Sequence, residues 1–208
     1  MSKTEILTIQ HPHAIQTAKR IIENHGTIAF PTDTVYGLAA DAFSTEGIQK
    51  IYIAKQRSAE KALPVLIGDL EHLPGLCGFI NERTMKIAST FWPGALTLIL
   101  PKGPDIPSDL TPYPTIGVRM PNHEFTLNLL IETGPLATTS ANLSGGPNPT
   151  TAQEVYDQLD RHVDLILDGG PSPGPIASTV IDVSGPELKL LRQGPISLEA
   201  IQAVFHQD

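Results

Sequence analysis

The densest run of side chains able to do chemistry is Pro31-Thr32-Asp33-Thr34-Val35-Tyr36-Gly37-Leu38, with three hydroxyls and a carboxylate close together. It follows an apolar run at 27–30, so a strand is expected to end here and display these groups where sheet-based enzymes commonly hold ligands. Pro-Thr-Asp is equally ordinary turn chemistry. A second cluster, Lys55-Gln56-Arg57 with Lys61 close behind, holds three of the chain's 14 lysines and arginines. Arginine offers a fork and lysine a mobile point charge, so one reading is a phosphate clamp. The other is a solvated basic helix end, favoured by the helix dipole.

The third segment is PLATTSAN at 135–142, continuing as LSGGPNPTT. Leu136 to Thr138 reads as a buried strand ending in hydroxyls and an amide, and Ser140 and Asn142 could hydrogen-bond a phosphate or a base. A polar loop leading to a helix cap at Thr151 is the alternative. Gly145-Gly146 is neither a Walker loop nor a dinucleotide fingerprint. Arg119 lies near the end of a 116–120 run, where it is a solvated edge residue or a carboxylate partner. Ser178 and Thr179 open another strand and Arg192 closes the last, so all these groups could converge on one pocket.

Other chemistries have little support. The seven histidines show no HExxH or paired-ligand spacing, one cysteine cannot build a thiolate zinc site, and no GxSxG elbow is present. No metal-ligating residues are assigned. His123 is an acid-base candidate or a structural residue at a helix start, and Asp33, Asp41 and Asp182 are too scattered for a carboxylate pair. A site without an obvious nucleophile points to reactions catalysed by positioning and charge stabilisation.

The elements that must hold these residues alternate. Strands are expected at 5–9, 27–30, 63–67, 96–100, 116–120, 164–167, 178–183 and 188–191, and helices at 13–24, 45–54, 82–90, 124–132, 152–158 and Leu198–Phe205. Ser44, Thr151 and Ser197 are N-cap candidates, and Gly26 a C-terminal stop. This predicts an α/β (α+β) fold: one domain over 1–208, with a twisted mixed sheet flanked by helices. The proline-rich stretch 101–114 reads as an exposed loop, either a mobile flap or a rigid excursion.

Composition sets outer bounds. The chain of 208 residues has 40% hydrophobic and 17% charged residues, as globular proteins do. Cys77 is the single cysteine, so a reducing compartment is expected. No apolar run approaches the roughly 20 residues of a membrane span, and no signal peptide is evident, so a soluble, cytoplasmic protein without membrane partners is expected. A net charge of -8 disfavours a polyanion-binding surface and makes a local site for small anions the better expectation.

Taken together, FPTDTVYGL, KQR, IGVRMPNH, PLATTSANLSG, ASTVID and LRQG resemble the YrdC/Sua5 family, over residues 30–194. The resemblance implies a twisted sheet around a concave, positive cavity and the synthesis of threonylcarbamoyl-adenylate. In that reaction L-threonine and bicarbonate (or CO2) give N-carboxythreonine, whose carboxylate attacks the α-phosphate of ATP and releases pyrophosphate. A tRNA-modifying threonylcarbamoyl transferase then uses the product at tRNA position 37. By the same resemblance Thr34, Arg119, Thr138 and Ser178 would hold L-threonine. Arg57, Lys61, Thr115, Ser140, Asn148 and Arg192 would hold ATP. Lys55, Arg57 and Asn142 would lie at its phosphates as catalytic groups, with Mg2+ accompanying the triphosphate. Direct binding of tRNA or double-stranded RNA is a further family trait, and an RNA-binding module or an inactive nucleotide-binding paralogue is the alternative. Two departures stand out. Leu66 occupies a position where many members have histidine, and the chain stops soon after LRQG, so the C-terminal domain of longer members is expected to be absent.

Overall fold

The computed structural model describes residues 3–58, 60–174 and 177–206. Its strands are β1 (Glu5–Thr8), β2 (Ile28–Phe30), β3 (Gly37–Asp41), β4 (Val65–Leu66), β5 (Leu96–Pro101), β6 (Thr115–Arg119), β7 (Leu136–Ser140), β8 (Leu165–Asp168), β9 (Thr179–Asp182) and β10 (Lys189–Arg192). Its helices are α1 (Ala14–Glu23), α2 (Thr45–Lys55), α3 (Leu73–Leu76), α4 (Glu82–Phe91), α5 (Glu124–Thr133), α6 (Ala152–Leu159) and α7 (Leu198–Phe205). The strands form one mixed sheet in the order β1-β8-β2-β3-β7-β4-β6-β5-β9-β10.

The pairing register explains how the sheet separates its core from its site. Ala137, Val65, Val118, Leu98 and Ile181 stand side by side across β7, β4, β6, β5 and β9. All five are buried in the larger apolar cluster, with Ile48 and Ile51 of α2, Ile87 of α4, Val155 of α6 and Ile201 of α7. Successive side chains of a strand point to opposite faces. One residue along, Leu136, Leu66 and Arg119 therefore face the other way, as do Thr97, Val180 and Arg192. On that second face α1 and α5 bury Ala18, Ile22, Leu129 and Leu130 against Ile28, Ala39 and Leu165. These two helices cover one part of the face, and beside them the strand residues Gly117, Thr97, Ile99 and Val180 line a cavity.

The helix ends follow local chemistry. Ser44, Thr151 and Ser197 cap α2, α6 and α7, and Thr151 with Glu154 forms a reciprocal capping box. The stop of α1 differs from expectation. The left-handed residue is His25 (φ 57), while Gly26 supplies clearance: a Cβ there would lie 2.5 Å from Ile21 Cγ2. Strand β3 was not expected, because Gly-Leu-Ala-Ala-Asp has little strand propensity. Its formation follows from antiparallel partners on both sides, β2 and β7. The short α3 and the 3-10 turn Leu70–His72 were also not expected.

The 101–114 stretch is a tethered excursion. Lys102 N–H donates to Pro114 O, Gly103 N–H to Leu76 O and Leu63 N–H to Leu110 O, while Ile106 and Leu110 are buried. None of its residues lines the cavity.

Candidate active site

The cavity holds about 460 Å³ and is walled by the 32–37 loop, β4–β7, the residues after α2, and β9 and β10. Of the twelve residues singled out from sequence, it brings eight to its wall: Thr34, Arg57, Arg119, Thr138, Ser140, Asn148, Ser178 and Arg192.

Arg119 is the most constrained. Its Nε donates to Gly94 O (3.0 Å), one Nη to Thr34 Oγ1 (3.3 Å) and the other to Asp33 Oδ1 (2.5 Å). The Arg119 and Asp33 side chains are only 9% and 14% exposed, so both charges are held out of water as a pair. Three bonds leave two of the five guanidinium N–H groups for a ligand. Thr32 donates to Val35 O (2.7 Å), so in its 3.1 Å contact with Thr34 the Thr34 hydroxyl is the donor. Thr138 spends its proton on Leu136 O. Both Thr34 and Thr138 thus turn only acceptor lone pairs toward the cavity.

The other two guanidiniums have no carboxylate partner among the described residues. Arg57 donates from Nη2 to Ala62 O, while its Nε is buried with no hydrogen-bond partner. Burial lowers the pKa of Arg57 from its ordinary value, the electrostatic cost of holding a cation away from water. Arg192 bonds Ser178 through its backbone oxygen (3.0 Å) and its hydroxyl (3.2 Å). Burial and then the nearby Arg119 charge lower its ionisation.

Lys55 and Asn142 lie one layer behind. Lys55 is 2% exposed and donates to Ser140 O (2.5 Å), Asn142 O (2.5 Å) and Asn142 Oδ1 (3.3 Å). Its own carbonyl accepts from Ser144 N–H, and Ser140 Oγ donates to Asn142 Oδ1. The ammonium is the hub around which the turn after β7 is wound. Lys61 is exposed and lies away from the wall, and so does Thr115. Alternation puts Thr115 on the face of Gly117 and Arg119, but at the far end of β6 opposite Pro101.

Sequence reasoning passed over Thr32, Tyr36 and Thr97 as individual groups. Tyr36 is fully buried, its hydroxyl donating to Gly170 O and accepting from Gly169 N–H, and burial pushes its pKa up to about 12. Thr97 shares a 2.8 Å hydrogen bond with Ser178. The first two sat inside the segment already singled out, whereas nothing marks Thr97 within an apolar strand. Leu66 lines the cavity as well.

The molecule has close relatives. A Bacillus subtilis threonylcarbamoyl-AMP synthase is 43% identical over 205 residues, spanning 97% of this chain and 59% of that one. A putative threonylcarbamoyl-AMP synthase of Mycobacterium tuberculosis is 37% identical, spanning 96% and 92%. Among solved structures, Pyrococcus abyssi Sua5 complexed with L-threonine superposes with a TM-score of 0.88 at 40% identity, covering 91% of this chain and 56% of that one. Escherichia coli YciO superposes with a TM-score of 0.84 at 26% identity, covering 97% and 100%. The chain therefore spans little more than half of the longer relatives and nearly all of the shorter ones. The Sua5/YciO/YrdC sequence profile, described as telomere recombination, matches residues 20–194, and the chain belongs to that family.

Proposed function

We propose that this chain is a threonylcarbamoyl-AMP synthase, which condenses L-threonine, inorganic carbon and ATP into threonylcarbamoyl-AMP and pyrophosphate. The observation that carries the reading is the set of three guanidiniums on one cavity wall, two of them without an anionic partner among the described residues, facing hydroxyls that offer lone pairs. That is a site for a small polyanion beside an amino acid. Its relatives bear the synthase name, and one was solved with L-threonine.

In this mechanism Arg119 pairs the amino-acid carboxylate, with Asp33 and Gly94 O fixing the guanidinium plane. Thr34, Thr138 and Ser178 complete that pocket. Arg57, Ser140, Asn148 and Arg192 take the nucleotide, and Lys55 and Asn142 hold Ser140 in place. The carbamate oxygen attacks the α-phosphorus and pyrophosphate leaves. Fixed cations stabilise the charge that develops on the leaving group, so no covalent enzyme intermediate is needed.

The residues present do not fit a protein-held metal. Among the described residues no carboxylate lines the cavity, and no group of three or more His, Cys, Asp or Glu could hold an ion. Mg2+ in this proposal travels on the triphosphate, and no step is routed through it. Delivery of the product to a tRNA-modifying transferase, and of its threonylcarbamoyl group to tRNA, completes the reading. No helix of the described residues is long and apolar enough to cross a membrane. The test is formation of threonylcarbamoyl-AMP by the purified protein from the three substrates.

A further inference from the structure

Among the described residues, the wall of this cavity lacks the groups that ordinarily move protons. Its titratable lining among the described residues consists of Arg57, Arg119, Arg192 and Tyr36, with no Asp, Glu, His, Cys or Lys. The conventional acid-base groups of the flanking segments are committed elsewhere. Asp33 is bound to Arg119, His123 Nδ1 faces the Thr126 backbone N–H and hydroxyl, and Lys55 is wrapped in three oxygens behind Ser140. Tyr36 has its proton on Gly170 O and its oxygen occupied by Gly169 N–H.

This matters for joining inorganic carbon to an amine. Bicarbonate would have to lose hydroxide as the C–N bond forms, a step that requires a proton donor. An ammonium would have to lose its proton before it could attack, and no carboxylate here would hold that ammonium in its charged form. Carbon dioxide avoids the first requirement: the nitrogen lone pair attacks its carbon, one C=O π pair moves to oxygen, and the remaining excess proton leaves to solvent.

We propose that the carbon enters this site as CO2, on an amine that has already lost its proton to solvent. The proposal rests on the synthase reading above. The site's charge suits the product of this step: loss of the ammonium proton and carboxylation together take a zwitterion to a dianion, with one α-carboxylate and one carbamate. Asp33 compensates only Arg119, so the wall keeps a surplus of positive charge from Arg57 and Arg192 beside the amino acid whose charge becomes more negative. Arg119 and Arg192 are near enough for one to depress the other's ionisation, a repulsion that bound anions relieve.

The experiment uses the slow interconversion of CO2 and bicarbonate in the cold. The full chain is mixed with threonine, ATP and Mg2+, then with either dissolved CO2 or bicarbonate, and pyrophosphate is followed from the first seconds. The expected result is immediate release from CO2 and a lag from bicarbonate, both merging into one progress curve when carbonic anhydrase is added. Immediate release from bicarbonate, or identical curves without carbonic anhydrase, overturns the proposal and leaves the synthase reading standing. No release from either carbon source, even with carbonic anhydrase, overturns the synthase reading and this inference with it.

Discussion

The Lys55 ammonium donates to both the backbone oxygen and the side-chain oxygen of Asn142, at 2.5 and 3.3 Å, and meets no carboxylate among the described residues. A buried cation held only by oxygens of one turn, Ser140 O included, acts on the shape of that turn. Lys55→Met removes the hub while keeping most of the volume. Each buried oxygen left without a donor costs about 1–3 kcal/mol. The expected outcome is a lower denaturation midpoint and a raised KM for ATP, with KM for threonine little changed. Equal rises in both KM values would contradict the assignment.

The same residue gives a pH signature. Burial and then the neighbouring Arg57 lower the Lys55 pKa from 10.5 to about 8. Because the folded state binds this proton more weakly than the unfolded state, stability should increase as pH rises from about 8 toward 10.5. Activity should move the other way, since the neutral amine has only two N–H donors for three acceptors. Comparing wild type with Lys55→Met in thermal melts and rate profiles isolates both effects.

Arg119 and Asp33 form a pair whose removal from one side should be costly. Arg119→Met leaves Asp33 buried and unpaired, and losing one partner of a buried pair typically costs about 3–5 kcal/mol. The double variant Arg119→Met with Asp33→Asn is expected to recover most of that stability and none of the activity. Denaturant titration reads the first effect and pyrophosphate release the second.

Arg57→Ala removes the cation whose Nε is buried without a partner. The substitution gives up a single hydrogen bond, from Nη2 to Ala62 O, so the fold should persist. A hydrogen bond to a charged group contributes about 1.5–3 kcal/mol, so ATP binding should weaken roughly ten- to a hundredfold. Calorimetric titration with ATP checks this, and an unchanged affinity would remove Arg57 from the nucleotide site.

Gly117 is the bare stretch of the cavity wall. A Cβ there would sit 3.3 Å from Ile99 Cδ1, 3.4 Å from Pro64 Cβ and 3.5 Å from Thr97 Cγ2. Gly117→Val should cost about 1–3 kcal/mol by overpacking and extend methyl groups into the site. The expected result is a folded protein with threonine-dependent turnover largely lost.

Much of this was legible in the sequence, unevenly. The β-branched runs marked eight strands near their true positions, because alternation and turn residues are local signals. Strand β3 was invisible: its Gly-Leu-Ala-Ala-Asp run becomes a strand only through β2 and β7 on either side. The PTDT, KQR and SAN segments each place a residue on the cavity wall, but which of their members face it depends on register. Thr115 and Arg119 share a face, yet only Arg119 reaches the cavity, and Lys55 points behind the wall that Arg57 lines. The three-way bonding of Arg119 brings together Asp33, Thr34 and Gly94 from distant parts of the chain, and no local pattern records it.

The measurement that bears most directly on the central claim is pyrophosphate release from ATP by the purified chain, with and without L-threonine and bicarbonate. Release that requires both, with serine a poor substitute, is the predicted result. ATP binding without release, or release indifferent to threonine, would contradict the synthase reading.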